Sequence, residues 1–391
     1  MNLPSLKFCM LRSVLTLCLV FLTVTLTHAN DGEYYTSGNQ LLPLIETDIR
    51  VQREILTLRW SDDNVAEVDV YYEFYNPGKP KTVLMGFEAD PPMYIDSISR
   101  NSAHPNISDF KVMMNGKSIP VSTTVVETDT LYVVNGEVQP VDLSVYSIND
   151  DYNIGSYLFT ADRNDAVPIS YVYHFNADFK SGINVVRHHY RYDMNVNVCT
   201  HYLFDYKLSP ALRWANHQID DFTLRIETED VPLHFMMKDS LFEKSVSPVI
   251  DGTGKWRIRT IVNEIDRKMS VYEVFMRNAS IEWKATNFRP SSELHIFSAD
   301  CTETGVICDP AEYYSRRYSI VNSSIHYDDI HRIVRNMPYA YRGYIFKNKY
   351  LNDFFTSRWW YIPDPDYKVD LEKLTPNERD WLKKYNEDYG K

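Results

Sequence analysis

In the stretch EVDVYYEFYNPG, Val68, Val70, Tyr72 and Phe74 alternate with Asp69, Tyr71, Glu73 and Tyr75. A strand built from it buries one face and wets the other. The same two-residue period returns from Asp31 to about Ala299 with no helical period between. That confines this part of the chain to antiparallel sheets packed as a sandwich or curled toward a barrel. Asn76-Pro77-Gly78 turns the chain after the first of these strands, and Asn115-Gly116 and Asn135-Gly136 supply the paired positive-φ positions of tight hairpins. Phe110, Val112 and Met114 precede one hairpin. Phe222, Leu224 and Ile226 share a face further on, and GKWRIRTIV alternates after what reads as a turn at Asp251-Gly252. The region has room for one or two β units, with a seam near residues 162–166.

After Cys308 the period changes. Ile330, Ile333, Val334 and Met337 fall at helical spacing behind Asp328 or Asp329 as a cap, and Pro338 kinks or ends that helix. Tyr350, Leu351, Phe354 and Phe355 form a second apolar stripe. Thr375-Pro376-Asn377-Glu378 is a capping box with proline at the first helical position, so a last helix starts there and turns Trp381, Leu382 and Tyr385 inward. The fold expected is mainly β, residues 30–305, joined by a linker at 306–323 to a small α-helical domain at 324–391.

Residues 1–29 read as a secretory leader, with Lys7 and Arg12 ahead of an apolar run from Val14 to Leu26 that ends at Thr27-His28-Ala29. The run is short for a bilayer span, and no second run of spanning length follows. The formal charge is −12, and loss of the leader removes two cations and no acid. An acidic chain of this kind argues against nucleic acid or an anionic membrane surface as partner. Of the five cysteines, Cys199, Cys301 and Cys308 lie beyond the leader. In an oxidising compartment Cys301 and Cys308 are expected to close a short disulfide loop, and Cys199 reads as a small buried apolar side chain.

The run RNMPYAYRGYIF, followed by YLNDFFTSRWWYIPDPDY and the capped helix, resembles the YARHG domain, a small extracellular module of bacterial proteins. The resemblance rests on Arg335, Asn336, Tyr339, Ala340, Gly343, Phe346, Phe355, Trp360, Tyr361 and Pro363, and departs from the motif at Tyr341 and Arg342, where arginine and histidine are expected. The β region, through NDGEYYTSGNQLLPLIETDI, VYYEFYNPG and LSPALRWANHQIDDFTLRIE, is similar to the DUF4424 family of secreted bacterial proteins. Together these imply an envelope or secreted location and a two-part architecture, and no reaction.

A domain of about 70 residues needs nearly all its large apolar side chains for a core, so most of the aromatic run is expected inside, including Phe346, Trp360 and Tyr361. Tyr339, Arg342, Tyr344, Arg358 and Trp359 are the candidates for a binding face, with Trp359 as an exposed platform for stacking on sugar rings. No Gly-x-Ser-x-Gly elbow, His-Glu-x-x-His, P-loop or dinucleotide fingerprint occurs. His188 and His189 would point to opposite faces of a strand, while Cys199 and His201 share one. Lys368 stands at a ligand position of DPDYKVD and the glycine is missing, which rules out an EF-hand. No metal and no cofactor is implied. The expected function is a non-catalytic envelope protein whose C-terminal module meets cell-wall polysaccharide or an envelope protein. The alternative is a secreted hydrolase that uses acid pairs such as Glu88 with Asp90, or Asp364 with Asp366, and is targeted by that module.

Overall fold

Strict alternation becomes strand wherever it was read. In the computed structural model, Val68, Val70, Tyr72 and Phe74 are all buried along one face of a twelve-residue strand. The structure describes residues 38–389 apart from 40, 44–47, 61–64, 90–102, 128–130, 143–156, 160–165, 195–202, 230, 243–245, 263–267 and 299–326. The leader, the linker, Cys199, His201 and the Cys301–Cys308 loop lie outside the described residues.

The longer strands in the first half are β1 (Arg50–Trp60), β2 (Val65–Asn76), β3 (Lys81–Ala89), β4 (Ile107–Met114), β5 (Ser122–Glu127), β6 (Ala166–Phe179) and β7 (Gly182–Asp193). The second half adds β8 (Leu203–Lys207), β9 (Ile219–Thr228), β10 (Leu233–Lys238), β11 (Val249–Val262), β12 (Lys268–Phe288) and β13 (Leu294–Ser298). One large sheet runs in the order β8, β13, β10, β12, β9, β1, β2, β7, β4, with β11 also paired to β12. Strands from both sides of residues 162–166 therefore share this sheet. A smaller sheet centres on β6, which pairs with β3 and β5. The two sheets meet through aromatic rings: Phe87 of β3 lies 5.0 Å from Phe110 of β4 and 5.2 Å from Tyr190 of β7, and Tyr173 of β6 lies 4.4 Å from Phe110. His188 of β7 is 2% exposed within this aromatic core, while His189 on the opposite face meets Asp69 at 2.9 Å.

Both predicted Asn-Gly hairpins form, with φ of 49° and 81° at Asn115-Gly116 and 52° and 80° at Asn135-Gly136. Two readings are corrected. β1 pairs with β9 in parallel, so the large sheet is mixed rather than purely antiparallel. Asp251-Gly252 is not a turn but lies within β11, at a bulge between Gly252 and Thr253. The reason is steric: a Cβ on Gly252 would sit 2.4 Å from the Asn278 carbonyl, so only glycine lets β11 approach β12 there. Asn278, itself at φ 44°, marks the point where β12 changes partners on its other edge, from β10 over residues 271–276 to β9 over residues 279–288.

The helical part comprises α1 (Tyr327–Val334), α2 (Met337–Tyr341), α3 (Lys349–Thr356) and α4 (Pro376–Tyr389). α1 stops before Met337, and Pro338 sits in the first turn of α2, where its missing N–H costs nothing. The capping box of α4 is complete: Thr375 N–H donates to Glu378 Oε2 at 2.8 Å, and Glu378 N–H to Thr375 Oγ1 at 3.1 Å. Ile333, Val334, Met337, Phe346, Leu351, Phe355, Trp360 and Trp381 gather into one core, and Phe275 of β12 is part of it. Tyr350 of the expected α3 stripe stays exposed.

Candidate functional site at the seam between strands and helices

Over residues 271–277, β12 has no free face. Tyr272, Val274 and Met276 enter the main β core, while Phe275, on the other face, enters the core of the helices. Its ring stacks on Tyr341 at 5.7 Å and meets Trp360 at 5.8 Å. Arg277, next on that face, donates from Nη1 to the Ile362 carbonyl at 2.8 Å and the Tyr341 carbonyl at 3.4 Å. Gly343 makes room for it at φ 87°, since a Cβ there would lie 2.7 Å from the Ile362 oxygen and 2.8 Å from Arg277 Nη1. Lys255 of β11 closes the same edge by donating to the Tyr361 carbonyl at 3.2 Å. Burial, and to a lesser degree Arg257, lowers the Lys255 ammonium below its ordinary range.

Beside Phe275, Glu273 is 0% exposed and is surrounded by His234 of β10 at 3.1 Å, Arg257 of β11 at 2.8 Å and Arg259 at 3.4 Å. Trp359 caps the group, with the Arg257 guanidinium 4.4 Å from its ring centre and the His234 ring 6.2 Å away. Burial alone would raise the Glu273 carboxyl. The hydrogen bonds and charges of His234 and Arg257 outweigh it and hold the group at about 2. The folded value lies below the ordinary one, so the stabilisation is complete above about pH 4.5 and drains away as pH falls toward 2. Its size is about 3 kcal/mol from one pKa unit per 1.36 kcal/mol. Urea titrations at pH 5 and pH 3 are expected to show a larger loss for the native protein than for Glu273→Gln. Equal losses would remove Glu273 as the cause.

Further along the seam lies a cleft of about 720 Å³, a size typical of small-ligand sites. Arg277, Lys373 and Arg379 line it together with Glu229, Asp364 and Asp366, and Tyr367 contributes a ring. The Tyr367 hydroxyl is buried without a hydrogen-bond partner among the described residues. Arg342 reaches the same cleft but is committed elsewhere: 6% exposed, it forms a two-pronged pair with Glu378 at 2.9 and 2.7 Å, and donates to the Pro338 and Lys373 carbonyls at 3.0 Å each.

The five candidate binding residues therefore do not form one outward face. Trp359 is not an open platform, because the ring's favourable contact with Arg257 turns it to β11. Tyr339 and Tyr344 pack on the helical core, and the Tyr344 carbonyl accepts from Tyr361 Oη at 2.7 Å. Arg358 lies over the Phe354 ring at 4.2 Å, where burial lowers its guanidinium. The motif positions Ala340, Phe346, Trp360 and Tyr361 are buried, Gly343 admits Arg277, and Asn336 donates to the Arg332 carbonyl at 2.7 Å with Arg335 half-buried beside it. Sequence reasoning missed His234, Glu273 and Arg277. The signal was present in VYEVFMR, where both alternating faces are largely apolar yet one of them carries an acid and an arginine four residues apart. Such charges need partners from another element. Among the described residues no three His, Cys, Asp or Glu side chains gather as metal ligands, and no helix is long and apolar enough to cross a membrane.

Comparison with known proteins places the YARHG domain at residues 315–387, starting earlier than the stretch on which the resemblance was read. No curated protein matches the chain. A solved structure of a candidate nutrient-binding protein from Legionella pneumophila is similar at 16% identity, with 90% of this chain and 98% of that one covered and a TM-score of 0.47. An M1 zinc metallopeptidase from Deinococcus radiodurans is similar at 9% identity over 66% of this chain and 43% of that one, with a TM-score of 0.24.

Proposed function

We propose that this chain is an extracytoplasmic, non-catalytic binding protein that holds a component of the cell envelope, wall polymer or envelope protein, in the cleft between its β body and its YARHG domain. The cleft carries the reading: it is built jointly by Glu229, just after β9, and Arg277 of β12, and by Asp364, Asp366 and Arg379 from the C-terminal part. The YARHG match at residues 315–387 supports it, because such domains occur in extracellular and periplasmic proteins. The leader-like residues 1–29 and the likeness of the β region to DUF4424 proteins agree with that location. The motif residues serve as the clasp that forms the cleft, and the ligand meets the cleft rather than the aromatic motif.

The test is a pulldown of the full chain on purified cell-wall material. Wild type is compared with Trp359→Ala and with a double charge reversal at the rim, Asp366→Lys with Arg379→Glu. Retention of wild type and loss in the rim variant, with an unchanged circular dichroism spectrum, is the expected result. Rim variant and wild type binding alike would refute the cleft as the site.

A further inference from the structure

The seam cleft is lined by charges of both signs, and apart from Arg342, which Glu378 holds, Arg277 is its most buried cation. Arg277 is 8% exposed; its Nη1 serves two backbone carbonyls, and its Nη2 lies 3.8 Å from Asp364 Oδ2. That separation is outside hydrogen-bond length. An anionic oxygen entering the cleft beside Nη2 would gain a charge-assisted hydrogen bond there. A second cation adds positive potential to the same cleft. Arg379 lines it. Opposite charge is present in equal measure, since Glu229, Asp366 and Glu372 lie exposed on the rim.

A neutral saccharide gains little from such a lining. Desolvating three cations and several acids is repaid only by a ligand that carries both signs. Sugars also use open aromatic faces, and Tyr367 is the one aromatic ring among the lining residues, with Lys373 Nζ 5.8 Å from its centre. A peptide with free ends meets both requirements, and a cleft of about 720 Å³ accommodates a few residues.

We infer that the seam cleft binds a short peptide by its free carboxylate, which Arg277 and Arg379 receive, while the rim acids receive its amino group. This rests on the reading of the cleft as the ligand site. The full chain is titrated calorimetrically with trialanine, trialanine amide, N-acetyl-trialanine and maltotriose. Trialanine is expected to bind saturably, with each capped form at least about tenfold weaker and maltotriose showing no binding. Arg379→Gln is expected to weaken trialanine about tenfold and to leave trialanine amide unchanged. Asp366→Asn is expected to do the same for trialanine against its N-acetyl form. Equal binding of free and capped peptides, or binding of maltotriose alone, overturns the inference. If trialanine fails while wall capture remains sensitive to the rim charge reversal, the peptide chemistry falls and the cleft reading stands. If both fail, both fall.

Discussion

Arg342→Ala is expected to lower the stability of the helical part by about 3–5 kcal/mol, the usual consequence of leaving one member of a buried ion pair alone. Glu378 is nearly as buried as its partner and would keep only the capping contacts to Thr375. The Pro338 and Lys373 carbonyls would lose their donor at the same time. Arg342 thus ties α2, α4 and the segment before α4 together, and its replacement should release all three. Urea denaturation followed by tryptophan fluorescence should show an early transition, because Trp360 and Trp381 sit in the helical core. Arg342→Ala with Glu378→Gln should recover part of the loss, since the stranded charge is gone. A loss below about 1 kcal/mol would mean that the pair is solvated in solution and contributes as a surface pair does.

Gly343→Val acts at the seam itself. A β-branched residue at φ 87° is strained by about 1–3 kcal/mol before any contact is considered. Here the added Cβ also meets the Ile362 oxygen at 2.7 Å and Arg277 Nη1 at 2.8 Å. Arg277 would be pushed from its carbonyls, so the seam should loosen as well as the turn. Gly116→Val is the control, because that glycine has φ 81° and nothing within 4 Å of a built Cβ. The Gly343 variant is expected to lose at least about 2 kcal/mol more than the Gly116 variant. Equal losses would show that the backbone conformation alone requires glycine at position 343.

How far the sequence foretells these features depends on how local their causes are. The burial of Val68 to Phe74, the two Asn-Gly hairpins and the Thr375–Glu378 box follow from residues within one turn or one strand. The general expectation that aromatic residues of the last 70 positions form a core also follows from size alone. The remainder depends on partners far away in the chain. Asp251-Gly252 has turn composition, yet Gly252 serves the close approach of β11 to Asn278, which is invisible without the pairing. Trp359 next to Trp360 suggests one ring in and one ring out. It is Arg257, about a hundred positions earlier, that decides where Trp359 faces. Arg342 reads as a ligand-binding cation because its partner Glu378 already has a local role in the capping box.

The cleft was legible least of all, since its charges come from the residue after β9, from β12 and from two segments beyond residue 360. Only Asp364 with Asp366 stands out locally, as an acid pair, and nothing in that stretch shows the cations it faces. The pairing of β12 with helices on one face and the main core on the other brings them together.

The central claim is that the aromatic motif of the C-terminal domain is turned inward onto β11 and β12. A double-mutant cycle on Arg257→Gln and Trp359→Leu tests it most directly, because these side chains meet across the seam and nowhere else in the account. The contact of 4.4 Å predicts a coupling of about 1–2 kcal/mol in unfolding free energy. Additivity within about 0.5 kcal/mol would contradict the docked arrangement and return Trp359 to solvent.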